Sequence, residues 1–169
     1  DLQALGYPGC PGPAGEIPAR VYWPREAEAG ETLGVFIYLH GGGFVIGDLD
    51  THDPLCRRLC NRGDCIVVSV DYRLAPEHPF PASGEDCIAA MNWVAAHAAE
   101  LGGDASRLAI GGDSAGGNLS AVSALAARDA GGPDLRLQLL IYPGLAPRRD
   151  SESHAAFGEG YVLTRDNIE

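Results

Sequence analysis

Gly112-Asp113-Ser114-Ala115-Gly116 has the residue types and spacing of a serine nucleophile held at a sharp turn. A serine hydroxyl attacks a carbonyl only if a base removes its proton and donors hold the oxyanion that forms. The segment comes after the short run Arg107-Leu108-Ala109-Ile110 and precedes a small-residue stretch of helical character, Asn118 to Arg128. Strand, turn and helix are therefore expected, with Ser114 at the turn and glycines letting the two elements approach closely. Chance alone supplies Gly-x-Ser-x-Gly in roughly one chain in seven of this length, so its partners must decide its meaning.

A source of donors lies upstream. His40-Gly41-Gly42-Gly43-Phe44 comes directly after the apolar run Leu33 to Leu39. Three glycines after a strand allow backbone N–H groups to face a substrate oxygen with no side chain in the way. Composition alone yields His-Gly-Gly-Gly in roughly one such chain in a hundred, which makes it the sharper signal.

The elements that must position these groups alternate along the chain. Residues 1–15 are rich in Gly and Pro and read as an irregular lead-in. Glu16 to Trp23 reads as an edge or antiparallel strand, because Pro18 cannot donate to a ladder. Pro24 to Glu31 is a polar connector. Leu33–Leu39 and Cys65–Val70 are continuously apolar, as strands buried on both faces of a parallel sheet are. Asp53-Pro54 reads as an N-cap with proline at the first helical position. Leu55, Cys56, Leu59 and Cys60 then form one apolar face before Gly63. Asp71 to Pro81 is a proline-stiffened loop, and Ser83 with Asp86 resembles a capping box. The next helix gathers Cys87, Ile88, Met91, Val94, Ala98 and Leu101 on one side and ends at Gly102-Gly103. A last strand is expected at Leu137 to Tyr142, and residues 145–169 show no strand pattern. The order implies an α/β fold, a mostly parallel sheet with helices on both faces, in one domain over residues 1–169.

Composition excludes several functions. The 169 residues suffice for one substantial core, and 46% are hydrophobic. The net charge of −11, from 12 basic and 23 acidic residues, repels a phosphate backbone, so nucleic acid is not expected as a partner. No apolar run reaches the length of a membrane span, no signal peptide is legible, and Asp1 in place of Met points to residues upstream. Cys10, Cys56, Cys60, Cys65 and Cys87 have no framework spacing and read as buried reduced thiols of a cytoplasmic protein. No metal site and no organic cofactor are expected.

Taken together, His40–Phe44, the Tyr72-Arg73-Leu74-Ala75-Pro76-Glu77-His78-Pro79-Phe80-Pro81 loop and Gly111–Asn118 resemble the hormone-sensitive-lipase-like branch of the α/β-hydrolases, which includes many bacterial carboxylesterases. Gly160-Tyr161-Val162-Leu163-Thr164 resembles the segment after the sixth strand of that branch. The resemblance implies that Ser114 is the nucleophile and that the N–H groups of Gly42, Gly43 and Ala115 line the oxyanion hole. It implies a small-molecule ester as substrate, of short or medium acyl length. Asp113 is read as a local structural contact rather than a catalyst.

In this fold the catalytic acid and histidine lie beyond the serine, on later strands. None of the five histidines fits that place. His40 belongs to the glycine motif, His52 and His78 occupy positions of structural type, and His97 lies on a helix. His154 alone comes after Ser114, with Asp150 four residues before it, and a pair that close reads as a solvated loop. The chain is thus expected to be a central portion of a hydrolase, lacking the C-terminal strands and the N-terminal cap. Its open sheet edge at Leu137–Tyr142 is expected to make the isolated chain aggregate, pair with another chain or need its missing half. Two other functions share the scaffold: a non-catalytic small-molecule binder, as in the plant gibberellin receptors that resemble this family, and an amidase or peptidase.

Overall fold

A computed structural model describes residues 4–24, 32–146, 151–161 and 163–164, with side chains from residue 9 onward. The elements run β1 (Ala4–Gly12), β2 (Gly15–Tyr22), β3 (Leu33–Leu39), α1 (Asp53–Gly63), β4 (Cys65–Val70), α2 (Ala82–His97), β5 (Gly103–Asp113), α3 (Ala115–Ala130), β6 (Leu135–Ile141) and α4 (Glu152–Phe157). A turn of 3-10 helix, Ala98–Leu101, extends α2.

The strands form a sheet in the order β1-β2-β4-β3-β5-β6. β4, β3, β5 and β6 are mutually parallel, and β2 joins them antiparallel along β4. Side chains alternate across the sheet, as a two-residue period requires. Val35, Ile37, Leu39, Ile66, Val68, Val70, Leu108 and Ile110 face one layer, where they meet Cys87, Met91, Val94 and Leu119 of α2 and α3. Tyr22, Phe36, Tyr38 and Val67 face the other, against Cys56 and Cys60 of α1. Both faces of the central strands are therefore covered, which is why their sequences show no polar alternation. Each such Val, Leu or Ile contributes about 1.5–3 kcal/mol by leaving water.

Several local expectations are corrected. The lead-in is not irregular: residues 4–12 form β1, closed onto β2 as a hairpin through Pro13-Ala14, with Gly12 opposite Gly15. β2 is consequently antiparallel, as one of the two expectations had it, but interior rather than at the edge, and β1 is the outer strand. Pro18 is tolerated there because the β1 register shifts between Tyr7 and Cys10, so a bulge stands opposite the residue that has no N–H to give. The Pro18 carbonyl still accepts from the Asp71 N–H at 2.9 Å.

The residue preceding α1 is His52, and Asp53, inside the helix, binds Arg57, Arg20 and the Tyr22 hydroxyl. Arg57 first, then Tyr22, hold the Asp53 carboxyl below the usual carboxylate range. Ser83 and Asp86 form no capping box, since α2 starts after Pro81 without a side-chain cap. Asp86 instead turns inward, where Arg73 grips it with Nε at 2.8 Å and Nη2 at 2.7 Å. The Arg73 backbone N–H adds a third bond at 3.0 Å, fastening the 71–81 loop to α2. Ala75-Pro76 and Phe80-Pro81 in that loop are cis.

β6 is the outermost strand on its side among the described residues, and Leu137 is 57% exposed. Residues 152–157 form a short helix, capped by Ser151. No described helix is long and apolar enough to cross a membrane.

Candidate active site

β5 ends at Asp113 and α3 starts at Ala115, leaving Ser114 alone between them at φ 52°, ψ −114°. A non-glycine residue there is strained, and the surroundings over-determine it. The Ser114 N–H donates to the Ile141 carbonyl at 2.9 Å, while the Ser114 carbonyl accepts from the Asn118 N–H at 3.0 Å. The Asn118 side chain donates to the Gly144 carbonyl at 2.7 Å, tying the turn to the segment after β6. Gly116 packs so closely beneath β3 that a Cβ would overlap the Leu39 and His40 carbonyl oxygens. Helix α3 starts directly after the serine, so its unpaired N–H groups and positive dipole end face the region around Ser114. The helix begins three residues earlier than the small-residue run at Asn118 indicates: its first turn takes in Gly116, packed under β3, and Gly117, packed against Pro143 and the Gly112 carbonyl.

The glycine loop leaves β3 beside this turn, since Leu39 of β3 pairs with Gly112 of β5. His40 is fully buried, with its ring stacked 4.4 Å from that of Tyr72 and its carbonyl accepting from the Tyr72 hydroxyl at 2.6 Å. The Gly41 N–H donates to Asp113 Oδ1 at 2.9 Å. Gly42 has φ 131°, a conformation that L side chains rarely adopt. Its carbonyl accepts from the Val45 and Ile46 N–H groups, at 3.1 and 3.0 Å, which closes the loop. The Phe44 carbonyl accepts from Ala75, linking this loop to the 71–81 loop. Among the described residues nothing accepts from the Gly42 or Gly43 N–H. Phe44, Val45, Ile46 and Phe80 expose apolar side chains, Phe80 to 94%.

Burial lowers the His40 pKa below its ordinary 6.5, so the imidazole stays neutral. The unfolded chain takes up a proton near pH 6.5 that the folded chain refuses. The stability this group contributes is therefore complete above pH 6.5 and is lost as pH falls through the depressed folded value. Thermal melts between about pH 7.5 and about pH 5 are expected to show a falling Tm, less steep in His40→Gln. Asp71, whose pKa burial raises, contributes with the opposite sign and is common to both proteins. An identical slope in His40→Gln refutes the assignment.

The remaining candidates are not brought to Ser114. His97 stacks on Trp93 and bonds its carbonyl at 2.8 Å. His154 Nδ1 bonds the hydroxyl of Ser151, the N-cap of α4, at 2.6 Å. Asp1, Asp150, Arg148, Arg149 and Val162 lie outside the described residues. Among the described residues no histidine bonds Ser114, and no group of three His, Cys, Asp or Glu is placed to hold a metal. All five cysteines are free, and burial pushes Cys10 and Cys56 up to about 11 and Cys60 to about 12.

Three residues of this cluster escaped sequence reasoning as partners: Asp113 as an acceptor for the glycine loop, and Tyr38 and His52 around it. The Tyr38 hydroxyl donates to Asp113 Oδ1 at 2.5 Å, and His52 Nε2 lies 3.6 Å from the same oxygen. The Tyr38–Asp113 bond spans 75 residues and the Gly41–Asp113 bond 72, so no local spacing signals either.

The family model for the alpha/beta hydrolase fold matches residues 36–169. Carboxylesterase NlhH of Mycobacterium tuberculosis is 50% identical over 167 residues, covering 99% of this chain and 50% of that protein. An ethyl acetate hydrolase of Pseudomonas putida is 39% identical over 156 residues, covering 90% of this chain and 48% of that protein. A hyperthermophilic esterase from Pyrobaculum calidifontis superposes with a TM-score of 0.90 at 46% identity, over 99% of this chain and 54% of that one. The chain thus spans about half the length of the relatives it matches. With an elbow serine, a glycine loop beside it and a family match over most of its length, the chain belongs to the hormone-sensitive-lipase-like branch of the α/β-hydrolase fold.

Proposed function

We propose that this chain carries the nucleophile and oxyanion hole of a carboxylic ester hydrolase acting on esters of short or medium acyl length. The observation that carries the reading is Ser114, strained at the junction of β5 and α3, beside a loop whose Gly42 and Gly43 N–H groups are unspent. A base takes the Ser114 proton, and Oγ attacks the ester carbonyl carbon. The resulting oxyanion accepts from the N–H groups of Gly42, Gly43 and Ala115. The tetrahedral species collapses, the C–O bond to the alcohol breaks, and the base returns its proton to the leaving oxygen. Water then repeats the sequence on the acyl-serine and frees the acid. No described residue supplies the base, so the reading assigns it to a histidine elsewhere in the full-length polypeptide. The relatives' names, carboxylesterase and ethyl acetate hydrolase, support an ester as the substrate. β6, unpaired on one side among the described residues and with Leu137 and Leu139 exposed, supports association with a further strand.

The test is covalent. A fluorophosphonate added to the full-length polypeptide should phosphonylate Ser114, read by peptide mass, and should stop p-nitrophenyl butyrate hydrolysis in proportion. Failure to label Ser114 refutes the assignment of the nucleophile. Labelling without ester turnover refutes the substrate class.

A further inference from the structure

We infer that Asp113 is a positioning residue that sets the oxyanion hole, by holding the glycine loop through the Gly41 N–H; the inference rests on the ester-hydrolase reading above. Asp113 is the last residue of β5, so its backbone is fixed by the sheet immediately before the serine turn. Its side chain lies on the α1 side of the sheet with that of Tyr38, because Gly111, two residues earlier, stands opposite Tyr38. From there Oδ1 accepts from Gly41 N–H at 2.9 Å and from the Tyr38 hydroxyl at 2.5 Å. His52, immediately before α1, brings Nε2 to 3.6 Å of the same oxygen.

Two consequences make this more than a packing contact. Gly41 precedes the two glycines with unspent N–H groups, and its own N–H is consumed by Asp113. The bond therefore selects which amides of the loop remain for an oxyanion. The carboxylate also joins the two halves of the hole: Asp113 is covalently next to Ser114 on one side and hydrogen-bonded to the glycine loop on the other. A Cβ at Gly41 would overlap the carboxylate, so glycine is needed for the approach. Donors that must meet a developing charge at about 2.7–3.1 Å tolerate little displacement, and a misplacement of about 1 Å costs on the order of 10²-fold in rate. The Asp113 charge itself opposes an oxyanion nearby. Tyr38, Gly41 and His52 gather on Oδ1, directing it toward α1 and offsetting that cost.

The experiment compares Asp113→Ala, Asp113→Asn and Tyr38→Phe in the full-length polypeptide. Asp113→Ala should lower kcat on p-nitrophenyl butyrate by about 10²-fold with KM nearly unchanged. Its affinity for an alkyl trifluoromethyl ketone, which forms a tetrahedral oxyanion adduct with the serine, should fall in parallel. Asp113→Asn keeps an acceptor for Gly41 and should recover most of both. Tyr38→Phe, which leaves the Gly41 bond in place, should lose less than Asp113→Ala. In amide hydrogen exchange Gly41 should be protected in the wild type and exposed in Asp113→Ala, with neighbouring β3 amides unchanged. Unaltered kcat in Asp113→Ala, a loss confined to KM, or Asp113→Asn as impaired as Asp113→Ala overturns the inference. So does a Gly41 amide as protected in Asp113→Ala as in the wild type. A wild type that neither labels at Ser114 nor hydrolyses the ester refutes the functional reading instead, and the exchange measurement still decides whether the tether exists.

Discussion

Ser114→Ala is expected to lower kcat for p-nitrophenyl butyrate by on the order of 10⁶-fold, with KM little changed, when the full-length polypeptide is assayed at matched purity. The size of the effect reflects the role. On the proposed reading no acyl-serine forms without Oγ, and what remains is the catalysis that binding and an oxyanion hole provide, roughly 10³–10⁴ over water. KM is spared because the hydroxyl forms its new bond only as the reaction proceeds. A variant that keeps more than a small fraction of wild-type turnover shows that another residue attacks. Ser114→Gly separates chemistry from conformation. It should be equally inactive yet more stable than Ser114→Ala by about 1 kcal/mol, because only glycine occupies positive φ without a Cβ penalty. Equal melting of the two variants would show that the turn carries no such strain.

Gly42→Ala should reduce kcat by about 10²–10³-fold. At φ 131° an alanine is strained whatever the available space, and its Cβ would run into the Ile46 carbonyl. The loop must shift, and the N–H groups of Gly42 and Gly43 shift with it. Donors that act only on the oxyanion leave ground-state binding in place, so KM should move far less than kcat. The separation matters, because a loss divided evenly between the two constants would indicate that the loop binds substrate rather than the transition state. Gly131→Ala serves as the control. It also replaces a positive-φ glycine, but at the C-cap of α3, with no atom near its Cβ, and should change stability without changing kcat.

The parts of the fold that were legible are those where one short stretch settles its own environment. Leu33–Leu39 and Cys65–Val70 are apolar on both faces except at Ser69, and such strands are stable only between two layers. Gly112–Gly116 reads as a strand-to-helix turn because its glycines solve a local problem of close approach. β1 was not legible, since Gly and Pro in residues 1–15 signal breaks locally. There the strand is imposed by pairing with β2, and a bulge absorbs the misfit at Pro18. Asp86 misled for a related reason: its spacing from Ser83 suits a cap, but the guanidinium of Arg73 offers a buried carboxylate more than a chain of surface N–H groups does.

By itself the sequence determined the alternation of elements, the serine at its turn and the glycine loop that faces it, because these rest on side-chain period and on glycine's freedom from a Cβ. Only the tertiary structure decided that Asp113 joins the two, and that Gly41 spends its N–H while Gly42 and Gly43 keep theirs among the described residues. Those facts depend on groups more than 70 residues apart meeting at the end of a sheet, where strand order and register, rather than spacing along the chain, set the distance.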